Sequence, residues 1–106
     1  MDRSAVARVE CRRFHLPLDE VMVDAMHGDH THFDLITARV IRGDGLEGVG
    51  YAFTGGFGGA AIKAVVDDDL APWLVGRDAG DGEGLHAAML KRLHYIGRGG
   101  VVCFAV

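Results

Sequence analysis

The sequence predicts an α+β domain in which a three-stranded antiparallel meander is followed by a small helical bundle. In the first half of the 106 residues, apolar and polar side chains alternate with a period of two, which is typical of half-buried strands. In the second half, apolar residues recur at helical spacing, and the change falls at the glycine run 55–59. The length fits one domain, which we assign to residues 1–106.

The first strand is predicted over residues 4–16, where apolar side chains alternate with arginine and glutamate. Pro17 ends this strand, because proline has no N–H to donate to a neighbouring strand. Residues 17–31 are then predicted to form a long loop. Loops of this length are usually functional or mobile.

Two further strands are predicted over residues 32–41 and 46–54. The turn between them contains Asp44-Gly45, and Asp-Gly between two alternating segments is a strong hairpin signal. A tight connection of this kind makes the neighbouring strands antiparallel.

Two amphipathic helices are predicted over residues 59–71 and 82–96. Pro72 is expected to end or kink the first of them, and Gly97 stands at the position of a helix-ending glycine. The apolar run 100–106 then predicts the start of a buried element that is cut off. The apolar stripe of the first helix is Ile62, Val65, Val66 and Leu70.

Composition excludes several classes of function. The net charge of −4 gives no electrostatic reason to expect nucleic acid or an anionic membrane as partner. No apolar run approaches the roughly 20 residues that span a bilayer, and the first ten residues lack the apolar core of a signal peptide. Cys11 and Cys103 have no metal-binding spacing. We therefore expect a cytoplasmic protein.

The segment His27–His32 carries the densest set of chemical groups. Imidazole and carboxylate are ligands of zinc or nickel, and four candidates lie within six residues. Neighbouring loop residues rarely converge on one metal without ligands from elsewhere, and no helical His or Glu pair supplies them. A metal site, solvated histidines without a role, and a loop that touches a ligand held by another domain remain open.

The glycine-rich segment 56–61 fits the pattern G-x-G-x-x-A of dinucleotide-binding loops. That motif needs a parallel βαβ unit, whereas here the preceding strand closes an antiparallel hairpin. The start of the helix could still favour an anion through its unpaired N–H groups. A flexible turn and a ligand-contacting loop both remain open.

Three short sequence segments, taken in their order along the chain, resemble those of a known family. They are GLEGVGY at residues 45–51, LAPWLVGRD at 70–78 and GRGG at 97–100. Together with the predicted elements, they resemble the amino-terminal capping domain of mandelate racemase/muconate lactonizing enzymes in the enolase superfamily. Residues 24–32 and 51–56 are most similar to the acid-sugar dehydratases of that group, of the galactarate and talarate type.

The resemblance implies that the histidine segment and the glycine-rich segment are specificity loops. Such loops close over the mouth of a carboxy-terminal barrel, which binds Mg²⁺ and supplies the bases for proton abstraction α to a carboxylate. We then expect no catalytic residue and no metal ligand in this chain, which would be inactive alone and truncated before its barrel. The expected partners are that barrel, an acid-sugar substrate and further copies in a homo-oligomer.

The resemblance also implies which side chains face the substrate. The alternative from another class is a free-standing α+β module that binds a metal or anion through His27–His32. The expected substrate-binding residues are His27, Asp29, His30, His32, Tyr51, Thr54 and Phe57.

Overall fold

The computed structural model describes residues 3–24, 28–96 and 100–106. Its sheet is a three-stranded antiparallel meander in the order β1-β2-β3. The strands are β1 (Val6–Asp24), β2 (Gly28–Arg42) and β3 (Glu47–Thr54). The predicted fold class is confirmed, with the sheet in the first half of the chain and the helices in the second.

The helices follow the sheet in a short, segmented series. The elements are α1 (Gly59–Ala64), a π-type turn (Val65–Leu70), α2 (Ala71–Leu74), α3 (Gly82–Arg92), a 3₁₀ turn (His94–Ile96) and α4 (Gly100–Ala105). Among the residues that the structure describes, no helix is long and apolar enough to cross a membrane.

The core lies between the helices and one face of the sheet. All four residues of the predicted stripe, including Ile62 and Leu70, are buried. Three of them, Val65, Val66 and Leu70, form one cluster with Leu93 and Val102, and half-buried side chains of β1 pack against it. The predicted helical periodicity therefore identified the centre of the core.

The predicted loop at residues 17–31 is wrong, because β1 continues to Asp24 and β2 already begins at Gly28. Pro17 pairs with His32 instead of ending the strand. The strand order makes β1 an edge strand, where one side has no partner and a missing N–H is tolerated. Past Pro17, residues 18–21 form a bulge before pairing resumes at Met22.

The helical boundaries also differ from the prediction. Pro72 lies in the first turn of α2, where proline is accepted, and the helical path continues to Leu74. The turn before it widens, since the amide of Ala71 donates to the carbonyl of Val66, five residues back. The second predicted helix ends at Arg92 and tightens into the 3₁₀ turn. Gly97 lies outside the described residues.

The burial of Leu70 predicts how much stability is lost when its side chain is shortened. Leu70 is 2% exposed at the junction of the helices with the sheet. We expect Leu70→Ala to lower the free energy of unfolding by about 2–5 kcal/mol, because it removes buried methyl groups and leaves a cavity. Leu46→Ala, in a turn where Leu46 is 60% exposed, is the matched control and should change stability by about 0.5 kcal/mol or less. Chemical denaturation measures both, and equal losses would contradict this core assignment.

Candidate functional site

A cleft of about 440 Å³ lies at the end of the sheet where β2 begins and β3 ends. We call it the hairpin cleft. Side chains of the two strands and of the loop after β3 line it together. Its lining residues are Asp29, His30, Phe33, Phe53, Gly55 and Phe57.

Aromatic rings form much of the wall of this cleft. Phe33 and Phe53, on adjacent strands, stack with their centroids 5.9 Å apart and their planes 18° apart. The His30 ring meets the Phe33 ring edge-on, at 6.0 Å and 77°. Phe57 is 90% exposed and adds apolar surface from the loop. The cleft thus combines packed rings with a carboxylate and an imidazole.

Two glycines let the loop after β3 lie directly on β2. A Cβ atom at Gly55 would lie 2.9 Å from the His30 ring, and one at Gly56 would lie 2.9 Å from the carbonyl oxygen of His32. Gly56 also has a φ of 102°, which side chains other than glycine rarely adopt. Larger residues here would push the loop away from the strand and widen the cleft.

Behind the cleft lies a buried carboxylate, that of Asp34, which is 0% exposed. His15 on the neighbouring strand contacts it, with Nδ1 2.6 Å from Oδ1. The amide of Gly59, the first residue of α1, donates to Oδ2 at 3.2 Å, and an Arg13 guanidinium nitrogen lies 3.6 Å from the same oxygen. A buried charge is costly unless it is paired and hydrogen-bonded, and this one has partners from two elements.

These partners determine the protonation of the group. The hydrogen bond from His15 lowers the pKa of Asp34 below its ordinary value of 3.8, and Arg13 and the Gly59 amide act in the same direction against the effect of burial. Asp34 is therefore ionised at neutral pH and can only accept. It follows that His15 Nδ1 carries the proton in this contact.

Three of the residues expected to bind substrate line the hairpin cleft together. Asp29 and His30 reach it from β2, and Phe57 reaches it from the loop after β3. The sequence placed them in two separate loops, whereas the structure places the first two at the start of a strand. His27 lies outside the described residues.

The other three expected residues lie elsewhere. His32 stacks on His15, with ring centroids 4.6 Å apart and planes 6° apart. The hydroxyl of Thr54 accepts from the amide of Gly56 at 3.3 Å and so stabilises the turn. Tyr51 lines a second, largely apolar cleft of about 700 Å³ between the sheet and the helices α1 and α4, which shares Phe53 with the hairpin cleft.

Sequence reasoning missed Phe33 and Phe53 as cleft residues and the pair His15 and Asp34 behind the cleft. The strand pattern was a signal for the two phenylalanines, because both lie in predicted strands close to the predicted site. The His15 and Asp34 contact needs the register of β1 on β2, which pairs these residues directly. The predicted loop at 17–31 hid that register.

The geometry bears on the metal and anion alternatives. Within residues 3–24, 28–96 and 100–106, no three side chains of histidine, cysteine, aspartate or glutamate converge as a metal site would need. The Gly59 amide at the start of α1 already donates to the carboxylate of Asp34.

The order of elements and the strand pairing are those of an enolase-superfamily N-terminal domain. The family model of the mandelate racemase / muconate lactonizing enzyme N-terminal domain matches residues 6–102. The chain belongs to this family.

The individual proteins that the chain resembles are enzymes. It is 41% identical over 101 residues to a 3,6-anhydro-α-L-galactonate cycloisomerase from Streptomyces coelicolor, covering 95% of this chain and 28% of the relative. The chain thus spans little more than a quarter of the curated relative. A solved structure of a racemase from S. coelicolor A3(2) with bound magnesium superposes with a TM-score of 0.88 at 41% identity, covering 92% of this chain and 27% of that one.

A second solved structure is an L-talarate/galactarate dehydratase from Salmonella typhimurium LT2 with Mg and L-lyxarohydroxamate. It superposes with a TM-score of 0.81 at 25% identity, covering 92% of this chain and 26% of that one. The dehydratase and the cycloisomerase thus support the same family, although their names give different reactions.

The lowered pKa of Asp34 predicts a pH dependence of stability. Because the unfolded chain takes up this proton at a higher pH than the folded one, the stabilisation is present at pH values above the ordinary pKa of 3.8 and is lost as the pH falls through the lowered pKa of the folded chain. We expect the free energy of unfolding of the wild type to fall more steeply below pH 4 than that of Asp34→Asn.

Denaturant titrations at a series of pH values measure the two slopes. Asp78→Asn, an exposed aspartate that accepts from the Gly80 amide at 2.9 Å, is the matched control and should keep the steep acid limb. An identical acid limb in Asp34→Asn and wild type would contradict the ionised, partnered carboxylate.

Proposed function

We propose that this chain caps the active site of a Mg²⁺-dependent enzyme that abstracts a proton α to the carboxylate of an acid sugar. The observation that carries the proposal is the hairpin cleft, in which Asp29, His30 and Phe57 come together from two segments. The reaction class is that of an acid-sugar dehydratase, and cycloisomerases or racemases are the neighbouring classes among the relatives.

The chemistry of the cleft fits a polyhydroxylated ligand. An imidazole and a carboxylate can donate to and accept from sugar hydroxyls, while ring faces pack against the C–H groups between them. His30 is held by the ring of Phe33 on one side and by Gly55 on the other, so its orientation is set before a ligand arrives. Preformed walls of this kind reduce the ordering cost of binding.

We assign the Mg²⁺ and the catalytic bases to the carboxy-terminal barrel of the parent protein, and none of them to this chain. Mg²⁺ prefers several oxygen ligands in octahedral geometry, and the described residues bring no such group together. Bound Mg²⁺ would stabilise the negative charge that develops on the substrate carboxylate. The proposed role of this chain is to bind the remote end of the substrate, orient it and exclude water.

Two further features belong to this proposal. The partner of the chain is its own barrel, and the cleft would face the mouth of that barrel. The parent protein is proposed to be a cytoplasmic homo-oligomer.

A hybrid enzyme tests the role of the cleft. In it, this chain replaces the matching segment of the S. coelicolor cycloisomerase, to which it is 41% identical. We expect His30→Ala to lower kcat/KM by the equivalent of about 1–3 kcal/mol, because one hydrogen bond to the substrate is lost. Steady-state kinetics on acid sugars measures this, and His94→Ala, an exposed histidine of the 3₁₀ turn, is the control.

The same variant distinguishes whether His30 binds the substrate or a metal ion. Its affinity for Mg²⁺ should be unchanged, since this hard cation prefers oxygen to imidazole ligands. Unchanged kinetics in His30→Ala would contradict the capping role of the cleft. Stoichiometric zinc or nickel in the wild type that disappears in the variant would contradict it as well.

The chain of 106 residues by itself is expected to turn over no acid sugar, with or without Mg²⁺. The reason is that the proposal places the bases and the metal ligands outside it. A coupled assay with purified protein at high concentration checks this. Dehydration or racemisation above the background of a mock purification would contradict the assignment of the bases and the metal ligands to the barrel.

A further inference from the structure

The carboxylate of Asp34 joins the two segments that wall the hairpin cleft without lining the cleft itself. We propose that Asp34 is a positioning residue that fixes the loop of residues 55–58 relative to β2, and thereby sets the distance between Phe57 and His30. The consequence for catalysis rests on the proposed function. The consequence for the loop depends only on the contacts of this chain.

The contact on the loop side is the hydrogen bond from the Gly59 amide to Oδ2 of Asp34, at 3.2 Å. The residue before α1 is Gly58, which has a φ of 84° and supplies no side-chain cap. Asp34 therefore does from a neighbouring strand what an N-cap side chain does locally. It holds the end of the loop that carries Phe57.

The fit of this contact requires glycine at position 59. A Cβ atom on Gly59 would lie 2.8 Å from Cβ of Asp34, closer than real Cβ atoms approach. Both the amide and the missing side chain are thus needed to bring α1 against β2. Gly59→Ala should push the two segments apart from the loop side.

The contact on the hairpin side runs through His15. Its Nδ1 lies 2.6 Å from Oδ1 of Asp34, and its ring stacks on His32. The side chain of His15 is itself 46% exposed, so its removal affects this contact without opening the core. Through His32 the anchoring reaches the strand segment that carries His30.

An amide in place of the carboxylate breaks this double contact. A carboxylate offers two acceptor oxygens, one for His15 and one for the Gly59 amide, whereas asparagine offers one acceptor and one donor. If the amide oxygen of Asp34→Asn keeps Gly59, its NH₂ faces His15 Nδ1 and forces the neutral imidazole to carry its proton on Nε2. If the amide turns round, the Gly59 amide loses its acceptor.

Two readouts on the 106-residue chain test the anchor. In Asp34→Asn we expect either a switch of the His15 tautomer in ¹⁵N NMR or an increase in amide exchange at Gly59 of about tenfold or more. Amides in α3 should be unaffected. Asp78→Asn is the matched control and should show neither change near the cleft, since it alters an exposed carboxylate elsewhere.

Single-contact variants keep the test decisive if Asp34→Asn folds poorly. His15→Gln should leave the Gly59 amide protected from exchange and speed exchange in the hairpin of β1 and β2. Gly59→Ala should speed exchange of the amide at position 59 and leave the hairpin protected. A wild-type tautomer with unchanged exchange at Gly59 in Asp34→Asn would overturn the proposal. Equal acceleration across sheet and helices would overturn it too, because it would show a general structural role.

The hybrid enzyme supplies the functional readout. Misplacement of Phe57 should raise KM several-fold while kcat per folded enzyme changes less, whereas a purely structural role would lower the active fraction and leave KM unchanged. If Phe57→Ala raises KM and Asp34→Asn does not, the positioning role is wrong. If neither raises KM while the exchange result stands, the proposed function fails and the anchor remains.

Discussion

The arrangement at the site depends on one buried charge. The Asp34 carboxylate has no exposed surface and is held by His15, by Arg13 and by the first amide of α1. An unpartnered charge in this position would be strongly destabilising, so the sheet and the first helix must stay together for the charge to be satisfied. The same requirement fixes the loop between them, and that loop is one wall of the hairpin cleft.

One face of the sheet forms the core, whereas the end of the sheet carries the exposed side chains of the hairpin cleft. Helices cover one face of the sheet and bury the stripe that includes Ile62 and Leu70. At the end of the sheet, aromatic rings such as Phe57 stay accessible beside His30. Exposed apolar side chains grouped with a few polar ones are typical of surfaces that meet a ligand or a partner. This division is consistent with the proposed role of the chain as a cap.

The parts of the fold predictable from sequence are those set by neighbours along the chain. The alternation of apolar and polar residues predicted most of the three strands, and Asp44-Gly45 predicted the tight turn. Helical spacing of apolar residues predicted the buried stripe. The extension of β1 past Pro17 was not predictable in this way, because it depends on β1 being an edge strand. The carboxylate of Asp34 was missed since its partners lie 19 and 25 residues away, and only strand register and helix placement bring them close. Three of the seven expected substrate residues line one cleft because the loop after β3 folds back onto β2.

The capping role of the hairpin cleft is tested most directly by a crystal structure of the hybrid enzyme with Mg²⁺ and an acid-sugar hydroxamate, the kind of ligand seen in the S. typhimurium dehydratase. We expect a ligand hydroxyl about 3 Å from a ring nitrogen of His30 and a carbon skeleton packed against Phe57. Mg²⁺ should be held by the barrel without a ligand from this chain. A fully occupied ligand that touches neither side chain, with the hairpin cleft facing solvent, would contradict it.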